Sequence, residues 1–492
     1  MPAIMFQGTG SNVGKSMLVA GFCRYLKRQG LKVAPFKPQN MSNNAAVTLE
    51  GGEIGRAQAL QALACGLEPS IHMNPVLLKP QSNIGSQVVV QGKSIGQMMA
   101  RDYAANKKNL MGAVMDSYNR LNADADIVVI EGAGSASEVN LRSGDIANMG
   151  FAQAAQTPVI LIGDIDRGGV IASLVGTQRI LSSEDRKLVK GYVINKFRGD
   201  ASLFKSGLDI ITNETHWPDF GVLPWFDDAA HLPAEDSEDL ARDAASNKDG
   251  ALKIAVPVLP RIANFDDLDA LRSDPSIAVH MVQRGQVIPA DTDLIILPGS
   301  KTTIADFEAL KTEGWDVDIK AHVRRGGYVL GLCGGYQMLG RTIHDPEGVE
   351  GAKGSSCEGL GLLNVETVMA GEKRTVQVQG RHVDSDLPMH GYEIHIGSSE
   401  GVDRDRPLFV IEGKNEGARS KDGRIMGSYI HGLFNQDEFR RRFLQGLGLQ
   451  SSNQASTHSY HGMVEDTLEA LADHISQHLD GDGLMEVATN GV

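Results

Sequence analysis

Residues 327–340 read Gly-Tyr-Val-Leu-Gly-Leu-Cys-Gly-Gly-Tyr-Gln-Met-Leu-Gly, and no other stretch constrains the fold as much. Tyr328 to Leu332 is a short apolar run with the length and character of a buried strand. It stops at Cys333, which has Gly331 on one side and Gly334 and Gly335 on the other, and passes into a helical pattern. A strand, a sharp turn and a helix with a nucleophile at the turn form an elbow, here G-x-C-x-G in place of G-x-S-x-G. Glycines are needed because the turn strains the nucleophile's backbone and packs its neighbours closely. The sulfur then sits at the carboxyl end of a strand. The helix start behind it favours the thiolate and offers backbone N–H groups to an oxyanion. The plainer alternative is a buried cysteine in a glycine-rich strand end, and glycines on both sides weigh against it.

A thiol nucleophile needs a base, and one of the 14 histidines has the right setting. His431 lies in Gly427-Ser-Tyr-Ile-His-Gly-Leu-Phe434, a short apolar strand ending in His-Gly. An imidazole at a strand end can meet a cysteine from a neighbouring strand. Asp293-Leu-Ile-Ile-Leu-Pro-Gly-Ser300 is another strand ending in a glycine turn. Backbone N–H groups at Gly299 and Gly334 are the candidate halves of an oxyanion hole. Together these three segments resemble the class I, triad-type glutamine amidotransferases. The resemblance implies that Cys333 attacks the side-chain amide of glutamine and that ammonia is released. Most of that class carry His-x-Glu, whereas this chain has Leu433 two residues past His431. The base must then be held otherwise, or ammonia release is slow until a partner site is loaded. Glu393 and His395, in Gly391-Tyr-Glu-Ile-His-Ile-Gly397, are either supports for that base or ordinary strand residues.

The N-terminal half opens with a strand (Ala3 to Phe6), a loop, a helix (Lys15 to Gln29) and a second strand (Lys32 to Pro35). The loop is Gly8-Thr9-Gly10-Ser11-Asn12-Val13-Gly14-Lys15-Ser16, with Thr9 where G-x-x-x-x-G-K-[ST] has its first glycine. The mechanics survive that change. Successive N–H groups cradle phosphates, Lys15 reaches the β- and γ-phosphates of ATP, and the Ser16 hydroxyl is placed for Mg²⁺. The spacing resembles dethiobiotin synthetase, and Gly10 stands where partitioning ATPases carry an extra lysine. Asp126-Ile-Val-Val-Ile-Glu-Gly-Ala-Gly134 reads as a buried parallel strand. By that resemblance Glu131 is a second Mg²⁺ ligand, the alternative being a capping or loop acid. Pro158-Val-Ile-Leu-Ile-Gly-Asp-Ile-Asp-Arg-Gly-Gly169 delivers Asp164, Asp166 and Arg167 to a carboxyl edge, where open α/β sheets place their sites. Gly191-Tyr-Val-Ile-Asn-Lys-Phe-Arg198 is a further strand, and Asn195 resembles the adenine-reading position of the superfamily.

Two amide-rich stretches read as substrate surface. Pro35-Phe-Lys-Pro-Gln-Asn-Met-Ser-Asn-Asn44 carries Lys37, Gln39, Asn40, Asn43 and Asn44, and Met73-Asn-Pro-Val-Leu-Leu-Lys-Pro80 carries Lys79. Side-chain amides are costly to bury unpaired, so they face water or a polar ligand. These phrases, with Glu53-Ile-Gly-Arg-Ala-Gln58 and the Asp164–Gly169 run, closely resemble the cobyric acid synthase family, from about residue 3 to about residue 435. The subgroup also lacks the His-x-Glu acid. The resemblance implies amidation of the b, d, e and g carboxylates of adenosylcobyrinic acid a,c-diamide to adenosylcobyric acid, during cobalamin synthesis. ATP and Mg²⁺ are then required, glutamine is the amide donor, and cobalt enters only within the corrinoid. Lys37, Gln39, Asn40, Asn43, Asn44, Lys79, Asp166 and Arg167 become candidate corrinoid contacts. The alternatives are a cobyrinic acid a,c-diamide synthase, or a non-catalytic ATP-gated binding protein.

The expected fold class is α/β: a P-loop parallel-sheet domain at 1–228, a connection at 229–250, and a flavodoxin-like glutaminase domain at 251–445. The connection is acidic and rich in Ala, Ser and Asp from Asp227 to Gly250, and the strand Leu252 to Leu259 follows it. Residues 345–357 read as a Gly/Glu-rich loop. A separate C-terminal region at 446–492 is expected, in which a helix from Met463 to Leu479 places Val464, Leu468, Leu471, Ile475 and Leu479 on one face, with a disordered tail over the last dozen residues. His474 and His478 are spaced for a metal but have no third ligand, and read as solvated. A chain of 492 residues with 41% hydrophobic residues and 56 glycines fits a turn-rich α/β protein of two or three domains. The net charge of −14 argues against nucleic acid or an anionic membrane as partner. Four scattered cysteines (23, 65, 333, 357), no leader and no long apolar stretch point to the cytoplasm. The oligomeric state is left open.

Overall fold

The computed structural model describes residues 2–81, 85–233, 252–448 and 459–491. The Ala3–Gly8 strand is buried along its whole length, so it needs cover on both faces. It is the fourth of six parallel strands, ordered Asp219–Pro224, Val189–Phe197, Val159–Asp164, Ala3–Gly8, Ile127–Ser135 and Val33–Phe36. The chain winds first to one side of Ala3–Gly8 and then to the other. The loop leaving that strand therefore lies at a switch point of the sheet, where ligands bind in such folds.

Between Val33–Phe36 and Ile127–Ser135 the chain builds a platform. A four-stranded sheet joins Gln39–Met41, Val76–Pro80, Gly85–Val90 and Lys93–Met99, beside a two-stranded ladder of Ala45–Val47 and Glu53–Gly55. The helix Arg56–Cys65 follows directly. Ala45, Val47, Leu77 and Val89 of this platform share one apolar cluster with Tyr392 and Ile394 of the C-terminal half. That cluster is one of the places where the two halves meet.

Two of the sheets in the C-terminal half position the site. One contains Ile277–Val282, Leu252–Pro257, Leu294–Leu297, Tyr328–Leu332 and Ile425–Ser428 in parallel, closed by antiparallel Ala418–Arg419. The other is antiparallel and runs Lys414–Glu416, Phe409–Ile411, Arg374–His382, Pro388–His395, Ile430–His431. Only Tyr429 separates Ile425–Ser428 of the first sheet from Ile430–His431 of the second. The chain thus changes sheets at the point where a base is wanted.

Several sequence expectations are revised. The last dozen residues are not a disordered tail: Gly481–Asn490 is helical, with Leu484 and Ala488 buried four positions apart. The preceding helix, Tyr460–His478, lies against the P-loop helix Lys15–Arg28, and its Leu468, Leu471 and Ile475 join the core of Phe22 and Leu26. The C-terminal helices therefore belong to the N-terminal half rather than forming an appendage. His474 is half-buried and bonds the Pro224 carbonyl at 2.9 Å instead of facing water. The expected loop at 345–357 is loop over 346–354, and its two ends belong to the paired strands Thr342–Asp345 and Ser355–Glu358. The expected connection begins with a 3₁₀ turn, Asp227–His231, and residues 234–250 of it lie outside the described residues.

Candidate active site

The elbow is present. Tyr328–Leu332 delivers Cys333 at φ 51°, ψ −108°, and the helix Gly334–Leu339 begins at the next residue. Such a backbone is strained for any residue but glycine, and the packing around it leaves no alternative. A Cβ on Gly331 would lie 2.5 Å from the Gly335 carbonyl oxygen, and one on Gly335 would lie 2.1 Å from that of Leu297. The Cys333 N–H donates to the Ser428 carbonyl at 2.8 Å, tying the turn to the strand that leads to His431.

His431 is 1% exposed. Its Nδ1 lies 2.7 Å from Oδ2 of Asp267, whose Oδ1 accepts the Gly432 N–H at 2.6 Å. The carboxylate fixes the tautomer with Nδ1 as donor, leaving Nε2 as the basic nitrogen. Nε2 is buried and makes no hydrogen bond among the described residues. Burial alone would lower the imidazole pKa, but the charge and hydrogen bond of Asp267, with Cys333 beside it, raise it to about 10. The Cys333 thiol, 7% exposed, makes a long contact of 3.5 Å to the Ile394 carbonyl. The orienting acid absent after His431 is therefore supplied by Asp267, 164 residues upstream, while Leu433 is core. Asp267 sits in the turn Phe265–Leu268, just after the two-residue strand Ile262–Ala263. Glu393 and His395 pair with each other at 3.2 Å, and His395 stacks on Tyr429, so neither holds the base.

Gly299 pairs with Ala263, and a Cβ there would come within 3.1 Å of the His431 ring. A Cβ on Gly334 would lie 3.0 Å from the Ser300 nitrogen. Both oxyanion candidates thus flank the reacting pair. A pocket of about 40 Å³ opens on Cys333 and His431, lined also by Lys301, Thr303, Gln337, Glu350, Lys373 and Lys79. Burial lowers Lys301 to about 8 and Lys373 to about 7, and raises Glu350 to about 7. Lys79 comes from the N-terminal half. It is 2% exposed and bonds Glu53 at 2.8 Å, and Glu53 also pairs with Lys373. Lys79 was expected on the corrinoid surface; instead it closes the cysteine pocket across the junction.

The second centre is a cavity of about 740 Å³ at the carboxyl edge of the N-terminal sheet. Ser11 to Met17 line it, with Glu131, Lys37, Gln39 and Asn40. Gly8 must be glycine, since a Cβ would lie 2.6 Å from the Gly10 carbonyl oxygen. Thr9 is bonded to the Ile162 carbonyl through both N–H and hydroxyl, which anchors the loop at the missing glycine. Lys15 bonds the Gly134 carbonyl at 3.0 Å. Glu131 is fully buried and receives the Ser16 hydroxyl at 2.8 Å, Gln61 at 2.6 Å and the Lys37 ammonium at 2.9 Å. A hydroxyl and one carboxylate fit Mg²⁺, which keeps several waters and takes phosphate oxygens for the rest.

Other expected contacts move. Asn195 donates to the Val13 carbonyl at 2.8 Å and accepts the Lys196 N–H at 2.9 Å, so it braces the P-loop rather than standing open to a base. Lys37 lines the cavity as the counter-ion of Glu131. Gln39 and Asn40 stay in the cavity lining, Gln39 accepting from the Tyr103 hydroxyl and Asn40 donating to Gln58. Asn43 and Asn44 lie outside the cavity lining. Asp166 pairs with Arg198 at 2.8 Å, and with Arg167 it stays exposed, also outside that lining. Two residues that sequence reasoning missed, Asp269 and Arg272, reach the cavity from the C-terminal half.

Two family models account for most of the chain. Residues 4–240 match the CobQ/CobB/MinD/ParA nucleotide binding domain, and residues 253–439 match the CobB/CobQ-like glutamine amidotransferase domain. A cobyric acid synthase of Rhodobacter capsulatus is 60% identical over 488 residues, 99% of this chain and 100% of the relative. Cobyric acid synthases of Cereibacter sphaeroides and Bradyrhizobium diazoefficiens are 58% and 56% identical, each covering 99% of this chain and at least 99% of the relative. A solved glutamine amidotransferase is 18% identical with a TM-score of 0.31, covering 40% of this chain and 98% of its own. No described helix is long and apolar enough to cross a membrane.

Proposed function

The chain belongs to the cobyric acid synthase family, a family of glutamine-dependent amidating ligases, and on that premise we propose that its two centres divide one reaction. At the C-terminal centre the raised pKa of His431 keeps the Cys333 proton on Nε2, and the thiolate so left attacks the carboxamide carbon of glutamine. N–H groups of Gly299 and Gly334 receive the oxyanion. Collapse breaks the C–N bond, His431 returns the proton, and ammonia leaves a γ-glutamyl thioester. Water, deprotonated by the same imidazole, hydrolyses the thioester to glutamate. The observation that carries this reading is the buried Cys333–His431–Asp267 array at the junction with the half that bears the P-loop.

At the N-terminal centre the Ser11–Ser16 backbone cradles ATP, and Lys15 neutralises charge on the β- and γ-phosphates. Ser16 and Glu131 would hold Mg²⁺, which supplies further charge neutralisation there. A corrinoid carboxylate attacks the γ-phosphorus, giving an acyl phosphate and ADP. Ammonia then attacks the acyl carbon and expels phosphate, leaving the amide. Four such cycles convert adenosylcobyrinic acid a,c-diamide to adenosylcobyric acid at its b, d, e and g carboxylates, with cobalt present only in that substrate. Gln39 and Asn40 line the cavity from the platform, and we assign them to the corrinoid. Four unpaired cysteines suit the cytoplasm.

The substrate assignment is tested by supplying ATP and glutamine with either cobyrinic acid or its a,c-diamide and following product mass. The diamide should gain four amidations while cobyrinic acid is left unconverted. Conversion of cobyrinic acid but not of the diamide would overturn the assignment.

A further inference from the structure

We propose that Arg56, carried by the nucleotide-binding half, is a positioning residue for the glutaminase base. The helix it begins then ties the orientation of His431 to what is bound beside Glu131. The inference rests on the two-centre reading and adds a physical link between the centres.

Asp267, which orients His431, is adjacent to Asp266 in the turn Phe265–Leu268. The two acids share one short turn, so a displacement of its backbone carries both. Asp266 points across the junction to Arg56, with Nη2 to Oδ2 at 2.6 Å and side chains 15% and 5% exposed. The same Nη2 donates to the Ala45 carbonyl at 3.0 Å and to the Tyr392 hydroxyl at 2.7 Å. The Tyr392 ring stacks on the His431 ring, centroids 5.3 Å apart and planes 19° apart. His431 is thus held at Nδ1 by Asp267 and on one face by Tyr392, and both holders lead to a single guanidinium from the other half.

Arg56 is the first residue of the helix Arg56–Cys65. Five positions on, Gln61 donates to Oε2 of Glu131 at 2.6 Å. Ala57 and Leu60 of the same helix line the P-loop cavity. A ten-residue helix moves as a body, so one element touches the carboxylate beside the phosphates and the counter-ion of the base-orienting turn. Nucleotide can shift the glutaminase only through contacts that differ between its bound and free states, and in this proposal that role falls to the bond from Gln61 to Glu131, the carboxylate placed for Mg²⁺.

The test compares full-length wild type with Arg56→Met and Arg56→Lys. Glutamine hydrolysis is measured with and without ATP, Mg²⁺ and cobyrinic acid a,c-diamide, and amidation is measured separately with ammonium chloride. For Arg56→Met we expect kcat for glutamine to fall by about 10- to 100-fold, because a small misplacement of a catalytic group has that effect. KM for glutamine should not change, stimulation by ATP and acceptor should vanish, and ammonia-dependent amidation should persist. Arg56→Lys, which keeps the charge, should recover part of the loss. Retention of both hydrolysis and stimulation in Arg56→Met would overturn the proposal. So would an equal loss of glutamine- and ammonia-dependent amidation, which would make Arg56 merely structural. Should Arg56→Met fail to fold, Tyr392→Phe removes one anchor of Arg56 and leaves the ring on His431; reduced stimulation supports the link and unchanged stimulation overturns it. Failure of the two-centre reading would appear elsewhere, as wild type unable to use ammonia in place of glutamine.

Discussion

Asp267 spends both carboxylate oxygens on one short segment, accepting from His431 Nδ1 and from the Gly432 N–H. Asp267→Asn keeps the shape but can no longer enforce the tautomer, so glutamine-dependent kcat should drop about 100- to 10,000-fold. Amidation driven by added ammonia should be untouched, and an equal drop in both would show Asp267 to be a folding residue. The same pair carries a pH signature. The folded-state pKa of His431, about 10, lies above its ordinary 6.5, so its charged form is favoured by folding. That stabilisation is complete below the ordinary value and is lost as pH rises through the folded value. Urea unfolding from pH 7 to pH 10 should therefore weaken wild type more than His431→Gln, and equal slopes would contradict the pairing. Cys333 and His431 were legible because glycine turns mark strand ends. Asp267 was not, because an acid brought in by topology from far upstream leaves no spacing to read. Lys79 misled for a related reason: a lysine among amides looks like substrate surface until Glu53 and Lys373 are seen around it.

Among elements, the P-loop strand and helix and the elbow strand carried their own signals, being unbroken apolar runs ending in glycine or leading into an amphipathic stretch. The final helix, Gly481–Asn490, did not. Only Leu484 and Ala488 and one residue at its start are buried, too few to show a period in a polar stretch. Its partner Tyr460–His478 is fastened to Lys15–Arg28 by Arg24–Glu465 at 2.9 Å and Arg24–Glu469 at 3.0 Å, and by Leu471 against Gly21. Leu471→Ala, emptying a buried site 2% exposed, should cost the nucleotide-binding half about 2–5 kcal/mol in chemical denaturation. A change within a few tenths of wild type would mean that the C-terminal helices do not belong to that core.

Across the whole molecule the two centres face one junction. The platform between Val33–Phe36 and Ile127–Ser135 lends Lys79 to the cysteine pocket, and the C-terminal half lends Asp269 and Arg272 to the P-loop cavity. The order of the two halves was readable from their motifs, but their exchange of side chains was not, since no local pattern encodes a domain junction. The missing His-x-Glu acid suggested a glutaminase restrained for want of an oriented base. Asp267 removes that ground, and the proposed link through Arg56 takes its place as the source of any restraint. The central claim, ammonia made at Cys333 and used at the P-loop, is tested most directly by Cys333→Ala with each nitrogen source in turn. Glutamine-dependent amidation of the corrinoid should be abolished and ammonia-dependent amidation retained at wild-type rate. Retention of both activities would make Cys333 structural and contradict the account.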